Sequence, residues 1–171
     1  VARGRLSLIR SSNCLAILGL HCGGITAKVI PPFLCHRRPP VQNNIPLSLY
    51  VHIPWCVRKC PYCDFNSHTK DKSYDESRYV DALLADLDEE YQRCQQRTLS
   101  SIFFGGGTPS LFSAESIHKI LSHTRQLFKF NEIEITLEAN PGTFEQEKFN
   151  DFRQAGVNRL SIGIQSFSQQ H

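Results

Sequence analysis

The stretch LSLYVHIPWCVRKCPYCDFNSH, residues 47–68, decides the fold of this chain. In its first half, aliphatic residues occupy every second position: Leu47, Leu49, Val51 and Ile53. That alternation predicts a β-strand, and Pro54, which has no backbone N–H to donate, ends it. A loop follows that holds three cysteines at the spacing CxxxCxxC: Cys56, Cys60 and Cys63.

The rest of the chain alternates strand patterns with helix patterns. We predict strands at 47–53, 99–104, 132–138 and 158–165, with a helix after each of the first three. The capping boxes Ser73-x-x-Glu76 and Thr143-x-x-Gln146 predict where the first and third helices begin, and Gly156 predicts where the third ends. This order indicates an α/β fold with a parallel sheet. The pattern alone leaves open whether the sheet is open or closes into a barrel.

The polar positions of the predicted strands fall on one face of the sheet. They are Tyr50 and His52 in the first strand, Glu134, Thr136 and Glu138 in the third, and Ser161, Gly163 and Gln165 in the fourth. His52, Glu138 and Gln165 come last in their strands, at the carboxyl ends where parallel α/β folds place their sites. The alternative for Glu138 and Gln165 is a structural role, as hydrogen-bonded residues of a polar interior.

Charge divides the chain into two parts. Residues 1–46 hold six of the 19 basic residues and no acidic residue, which leaves 13 basic and 16 acidic residues for 47–171. The second part therefore has a net charge of −3, and its charge gives no argument for nucleic-acid binding. The apolar runs are far shorter than the roughly 18–20 residues of a membrane span, so we expect none.

Residues 1–46 contain Gly23-Gly24, Pro31-Pro32 and Pro39-Pro40, which break regular structure. We interpret them as an unstructured leader or as an extension upstream of the true start. Their lack of acidic residues also resembles a mitochondrial transit peptide. The chain begins with Val, has no Met and stops after a strand pattern, so we expect residues 47–171 to be a truncated domain.

The three cysteines of the loop indicate a metal site. The chain has seven cysteines, an odd number, and no secretory signal, so a disulfide framework is a poor interpretation. Thiolates hold iron–sulfur clusters, and a four-iron cluster normally takes four of them. Three would leave one iron free to bind a small molecule. The alternatives are a zinc site completed by His52 or His68, and a disulfide with a spare thiol.

Four segments in order carry a resemblance to a known family: residues 47–68, SIFFGGGTPS (101–110), LEANPG (137–142) and NRLSIGIQSF (158–167). Together they resemble radical S-adenosylmethionine (SAM) proteins. More narrowly, they resemble the oxygen-independent coproporphyrinogen III oxidases and their relatives, the HemW heme chaperones. The resemblance covers residues 47–171. It implies a (β/α)6 radical SAM barrel, of which about the first four strands are present.

The resemblance also implies roles for individual residues. Cys56, Cys60 and Cys63 would ligate a [4Fe-4S] cluster, and SAM would chelate the fourth iron through its amino and carboxylate groups. The positions that match SAM contacts of the family are Tyr50, Tyr62, Gly106, Gly107, Thr108, Glu138 and Gln165. In the family, an electron from the cluster cleaves SAM to a 5′-deoxyadenosyl radical that abstracts hydrogen from a substrate. No catalytic residue of this chain is assigned.

One position bears on the branch of the family. True oxidases carry a further cysteine two residues after the third cluster cysteine, where this chain has Phe65. That difference favours a HemW-type heme chaperone, with the oxidase as the alternative and a zinc-binding module as a third hypothesis. Whether the protein is an enzyme stays open. The implied partners are heme or a porphyrinogen, a reductant protein and heme-accepting proteins. The implied location is the cytoplasm, or the mitochondrial matrix if the leader is a transit peptide.

Overall fold

The structure, a computed structural model, describes residues 14–17, 45–71, 74–94, 97–141 and 146–168. In chain order its strands are β1 (Cys14–Ile17), β2 (Leu47–Ile53), β3 (Trp55–Cys56), β4 (His68–Thr69), β5 (Leu99–Gly106), β6 (Glu134–Ala139) and β7 (Arg159–Ile162). Its α-helices are α1 (Glu76–Arg93), α2 (Ala114–Leu127) and α3 (Gln146–Ala155), and Pro109–Leu111 form a 3-10 turn. Five parallel strands make the main sheet in the order β1-β2-β5-β6-β7, and β3 pairs with β4 beside it.

The parallel α/β sheet confirms the predicted fold class. Strand β2 has the predicted bounds, but β7 is shorter than the predicted 158–165 and ends at Ile162. The Gly163 amide still donates to the Ala139 carbonyl of β6 at 3.1 Å, but the Ile164 amide turns back onto the Ile162 carbonyl at 3.0 Å. A turn of this size breaks the ladder. Gln165 therefore lies beyond the strand that was predicted to carry it.

The helix starts differ in part from the predicted ones. Helix α1 is capped by Asp75, whose carboxylate accepts from the Arg78 amide at 3.0 Å. The predicted capping box is therefore wrong as the start of α1, and Ser73 itself lies outside the described residues. Thr143, predicted to start the third helix, also lies outside them. Gly156 follows α3 with a φ of +116°, which confirms the predicted stop.

The prediction that residues 1–46 lack regular structure is wrong for β1. This strand pairs in parallel with β2, from Cys14 beside Ser48 to Ile17 beside Val51. Strand β2 would otherwise be an edge with open hydrogen-bonding groups, and a short apolar segment can pair with such an edge. Four residues are too few to show a period in the sequence. Residues 1–13 and 18–44 lie outside the described part of the chain.

The two faces of the sheet have different roles. The apolar residues of β2, β5 and β6 are buried together with residues of α1 and α2: Leu49, Val51, Ile53, Ile102, Phe104, Ile135, Leu137, Val80, Leu83, Leu87, Ile117, Ile120 and Leu121. Each contributes about 1.5–3 kcal/mol by leaving water. The opposite face aligns His52 with Gly105, and Glu138 with Ser161, across neighbouring strands. The polar row predicted from alternation is therefore present as far as Ser161, whereas Gly163 and Gln165 lie beyond β7. Among the described residues, no helix combines the length and apolar character of a membrane crossing.

Candidate functional site

The cysteine loop, residues 54–70, leaves the carboxyl end of β2 and is closed at its base. Strands β3 and β4 pair Trp55 with His68 and Cys56 with Thr69. The His68 amide donates to the Pro54 carbonyl at 2.7 Å, and the Lys70 amide donates to the Cys56 carbonyl at 2.9 Å. Cys56 thus lies in the closed base, whereas Cys60 and Cys63 lie in the projecting part.

The three thiols of the loop are free and partly exposed, which excludes the disulfide interpretation for them. Two have hydroxyl neighbours. The Thr108 hydroxyl donates to Cys56 Sγ at 3.6 Å, and Cys63 Sγ lies 3.8 Å from Ser67 Oγ. The Lys59 ammonium donates to the Ser67 carbonyl at 3.2 Å, which ties the middle of the loop to its end.

The arrangement of the thiols is compatible with an iron–sulfur cluster. Zinc needs its ligands within about 2.0–2.3 Å of one point. Among the described residues, no three His, Cys, Asp or Glu side chains are grouped in that way. In a cluster each thiolate binds its own iron, so separate sulfurs on one loop are compatible with it. His52, one of the two histidines considered for zinc, already uses both ring nitrogens in hydrogen bonds.

The segment Gly106–Thr108 packs against the chain where β2 leads into the loop. The Gly107 amide donates to the Ile53 carbonyl and the Thr108 amide to the Trp55 carbonyl, both at 2.8 Å. A Cβ on Gly107 would lie 2.7 Å from the Trp55 carbonyl oxygen, so a side chain there would displace the backbone beside Cys56. The Gly107 and Thr108 amides are therefore already used in hydrogen bonds within the protein.

The polar row adjoins this segment. Glu138 accepts from the Gly106 amide at 3.1 Å, and burial raises the pKa of its carboxyl although this hydrogen bond opposes the change. His52 is 4% exposed, and its burial lowers the pKa of the imidazole. Its Nε2 lies 2.8 Å from the Asn66 carbonyl and its Nδ1 lies 3.1 Å from the Tyr50 hydroxyl.

Of the residues predicted to bind SAM, the structure groups some and separates others. Tyr50, Gly106, Thr108 and Glu138 lie around the end of β2 and the base of the loop. Tyr62 lies on the projecting part, is 73% exposed, and has a raised pKa, first because of a hydrogen bond with Cys60. Gln165 lies beyond β7, is exposed, and is separate from this group.

Sequence reasoning missed how the end of the loop is held. Ser67 is 2% exposed, and Asn66 and Ser67 receive hydrogen bonds from His52 and Lys59. The alternation placed His52 on the polar face but could not name its partners. Asn66 accepts through its backbone carbonyl, which every residue has, so its side-chain type carries no signal.

Comparison with known proteins agrees with the motifs. The family model for the radical SAM superfamily matches residues 50–171. Two curated relatives are named heme chaperone HemW. The one from Haemophilus influenzae is 58% identical over 72% of this chain, and the one from Escherichia coli is 53% identical over 73%. Each match covers 33% of the relative, so the chain spans about a third of the length of these proteins.

A solved structure resembles the chain in three dimensions. It is the coproporphyrinogen III oxidase HemN from Escherichia coli, whose title calls it a radical SAM enzyme. The match has a TM-score of 0.66 and 34% sequence identity, over 73% of this chain and 29% of that one.

Proposed function

Because this chain belongs to the radical SAM superfamily, we propose that Cys56, Cys60 and Cys63 hold a [4Fe-4S] cluster whose fourth iron binds SAM. The observation that carries the proposal is the loop itself. Three free, partly exposed thiols lie on one loop at the carboxyl end of a parallel sheet, where α/β folds place their sites. The Thr108 hydroxyl beside Cys56 adds a hydrogen-bond donor to one ligand sulfur, a contact of the kind that tunes a cluster.

The proposed SAM site extends from the loop onto the polar row. Bound SAM supplies a sulfonium that the reduced cluster can cleave to start radical chemistry. Glu138 offers a carboxylate, which suits a ligand that carries an amino group and hydroxyls. Tyr50, which precedes the cysteines, and Tyr62, which lies between Cys60 and Cys63, offer aromatic side chains. Gln165 would complete the site only if the segment after β7 folds back toward the loop.

For the whole protein we propose a HemW-type heme chaperone. The support is the identity of 58% and 53% to proteins of that name, together with Phe65 in place of the further cysteine of the oxidases. Heme would then be the cargo, with a reductant protein and heme-accepting proteins as partners. The second candidate is the oxidase, favoured by the structural likeness to an enzyme of that class.

The experiment that separates them uses the full-length protein, reconstituted without oxygen. Iron and sulfide analysis should give about four irons per chain, as a [4Fe-4S] cluster requires. One part of the same preparation is then incubated with coproporphyrinogen III, SAM and a reductant. The other part is titrated with heme. Stoichiometric heme binding without protoporphyrinogen supports the chaperone. Product over several turnovers establishes the oxidase, and zinc in place of iron rejects the cluster.

Phe65 provides the matched variants for that experiment. Its side chain is 68% exposed, so neither Phe65→Cys nor Phe65→Ala should disturb the fold. If the missing cysteine is what separates the branches, only Phe65→Cys should gain decarboxylase activity. Equal results for the two variants would show that this position does not decide the activity.

A further inference from the structure

We propose that His52 is a positioning residue that couples the cysteine loop to the Tyr50 hydroxyl at the SAM site. The inference rests on the proposed function, because it takes Tyr50 as a SAM contact. A buried histidine with satisfied hydrogen bonds can also be a purely structural core residue. The contacts of His52 favour the positioning role, because they join Tyr50 to the end of the cysteine loop, and both belong to the proposed site.

The two nitrogens of His52 bond to opposite sides of the site. The Asn66 carbonyl can only accept, so Nε2 donates to it at 2.8 Å and must carry the proton. In the neutral ring Nδ1 is then an acceptor, and the Tyr50 hydroxyl donates to it at 3.1 Å. One imidazole therefore orients the Tyr50 hydroxyl and holds the chain three residues after Cys63.

The ring has little freedom to adopt another orientation. It is 4% exposed, and a Cβ on Gly106 would lie only 2.6 Å from its Cε1 atom. Gly106 is itself fixed by its hydrogen bond to Glu138. The imidazole is thus enclosed between Tyr50, the glycine segment and the end of the loop.

The backbone of His52 is fixed as well. The Tyr79 hydroxyl of α1 donates to the His52 carbonyl at 2.7 Å. The Tyr79 ring packs edge-on against Trp55 at 4.4 Å between centroids, and Trp55 directly precedes Cys56. A shift of the loop at either end would therefore be transmitted to His52, and through its Nδ1 to Tyr50.

The test measures SAM affinity in the cluster-loaded full-length protein as a double-mutant cycle. His52→Leu removes both hydrogen bonds and should weaken SAM binding about 10-fold, as expected when buried partners lose a hydrogen bond. Tyr50→Phe should weaken binding in the wild-type background but have no further effect in the His52→Leu background. If His52 had a structural role alone, Tyr50→Phe would weaken SAM binding by the same factor in the wild-type and His52→Leu backgrounds.

Two further variants keep the outcome interpretable. His52→Asn retains an acceptor near the Nδ1 position. In the His52→Asn background Tyr50→Phe should therefore still weaken SAM binding, and this comparison is available even if His52→Leu does not fold. His118→Leu changes an exposed histidine on α2, outside the cysteine loop, and should alter affinity less than 2-fold, in the range of ordinary surface changes. Additive effects of Tyr50→Phe and His52→Leu in folded, iron-loaded protein would overturn the inference. Wild-type protein without iron or SAM binding would instead reject the proposed function.

Discussion

The Gly106 amide donates to the Glu138 carboxylate at 3.1 Å, which joins the end of β5 to the end of β6 on the polar face. Each residue belongs to a different motif of the sequence, GGGTP and EANP. The two motifs therefore form one structural unit rather than two independent contributions to a ligand site. Because Gly106 also borders the His52 ring, the unit extends to the base of the cysteine loop.

Gly106→Ala should destabilise the protein by at least about 2 kcal/mol. Gly106 has a φ of +119°, where a side chain is strained, and the new Cβ would lie 2.6 Å from the His52 ring. Denaturant unfolding of the full-length protein measures the change. Gly163→Ala is the control, because its Cβ would have ordinary contact at 3.8 Å with Gln165. Equal stability of the two variants would contradict the crowding described here.

Cys60→Ala should remove most of the bound iron from the reconstituted full-length protein. Two remaining thiolates leave two irons of the proposed cluster without protein ligands. Iron analysis and visible absorption measure the loss. Cys94→Ala is the matched control, because Cys94 is buried at the end of α1, outside the loop, and this variant should keep its iron. Iron retention by Cys60→Ala would argue against the proposed ligand set.

Glu76→Ala should lower the free energy of unfolding at pH 7 by about 1–2 kcal/mol, since the carboxylate accepts from the Ser113 amide at 2.9 Å and the Tyr74 hydroxyl at 2.6 Å. Burial opposes ionisation of Glu76, but hydrogen bonds from Ser113, Ser116 and Tyr74 outweigh it and lower its pKa. The stabilisation is therefore present above the ordinary pKa of the group and is lost as pH falls through the lowered one.

The measurement for Glu76 is denaturant unfolding at pH 7 and at pH 3. The difference in the free energy of unfolding between wild type and Glu76→Ala should be smaller at pH 3 than at pH 7. Glu115→Ala changes an exposed glutamate in the first turn of α2 and should cost less than about 1 kcal/mol. An equal loss from both variants would show that the contact with Ser113 is not what stabilises this region.

Asp86→Asn should stabilise the protein at pH 8, by on the order of 1 kcal/mol. Burial, with Glu90 and Glu89 nearby, raises the pKa of Asp86 to about 6. Within the described residues its Oδ2 atom is buried without a hydrogen-bond partner. A raised carboxyl pKa gives stability that is fully present below the ordinary value and is lost as pH rises through the raised value, so ionised Asp86 is unfavourable at pH 8.

Unfolding of wild type and Asp86→Asn at pH 4 and pH 8 tests this. Asp86→Asn should raise the free energy of unfolding at pH 8. It should change that free energy little at pH 4, where Asp86 of the wild type is protonated in the folded protein. Asp81→Asn is the control, because Asp81 is exposed and pairs with Lys119 at 2.7 Å. It should be neutral or slightly destabilising at pH 8. A benefit from Asp86→Asn that does not depend on pH would contradict the raised pKa.

The sequence predicted the fold well where periodicity and motif agreed. Strand β2 and the parallel α/β order followed from apolar spacing that the structure repeats. The errors lie where local geometry overrides the pattern. Strand β7 stops at Ile162 because a turn at Gly163 replaces the ladder, although the alternation continues to Gln165.

The sequence predicted on which face two residues of the candidate site lie, but not what they contact. Alternation placed His52 and Glu138 on the polar face, and both lie there. Their partners, the Asn66 carbonyl and the Gly106 amide, are backbone groups, which sequence patterns do not distinguish. Of the two histidines considered as a fourth zinc ligand, only His52 can be discounted, because both of its ring nitrogens are in hydrogen bonds.

The closed base of the cysteine loop has a consequence for how the protein would respond to oxygen. Backbone hydrogen bonds fix Cys56, whereas Cys60 and Cys63 lie in the projecting part of the loop. A cluster that joins all three would act as a cross-link and restrict residues 57–66 far more than the backbone does. Destruction of the cluster by oxygen would then release that segment while leaving the sheet folded. Susceptibility to a protease between Val57 and Asn66 would report the metal status of the protein.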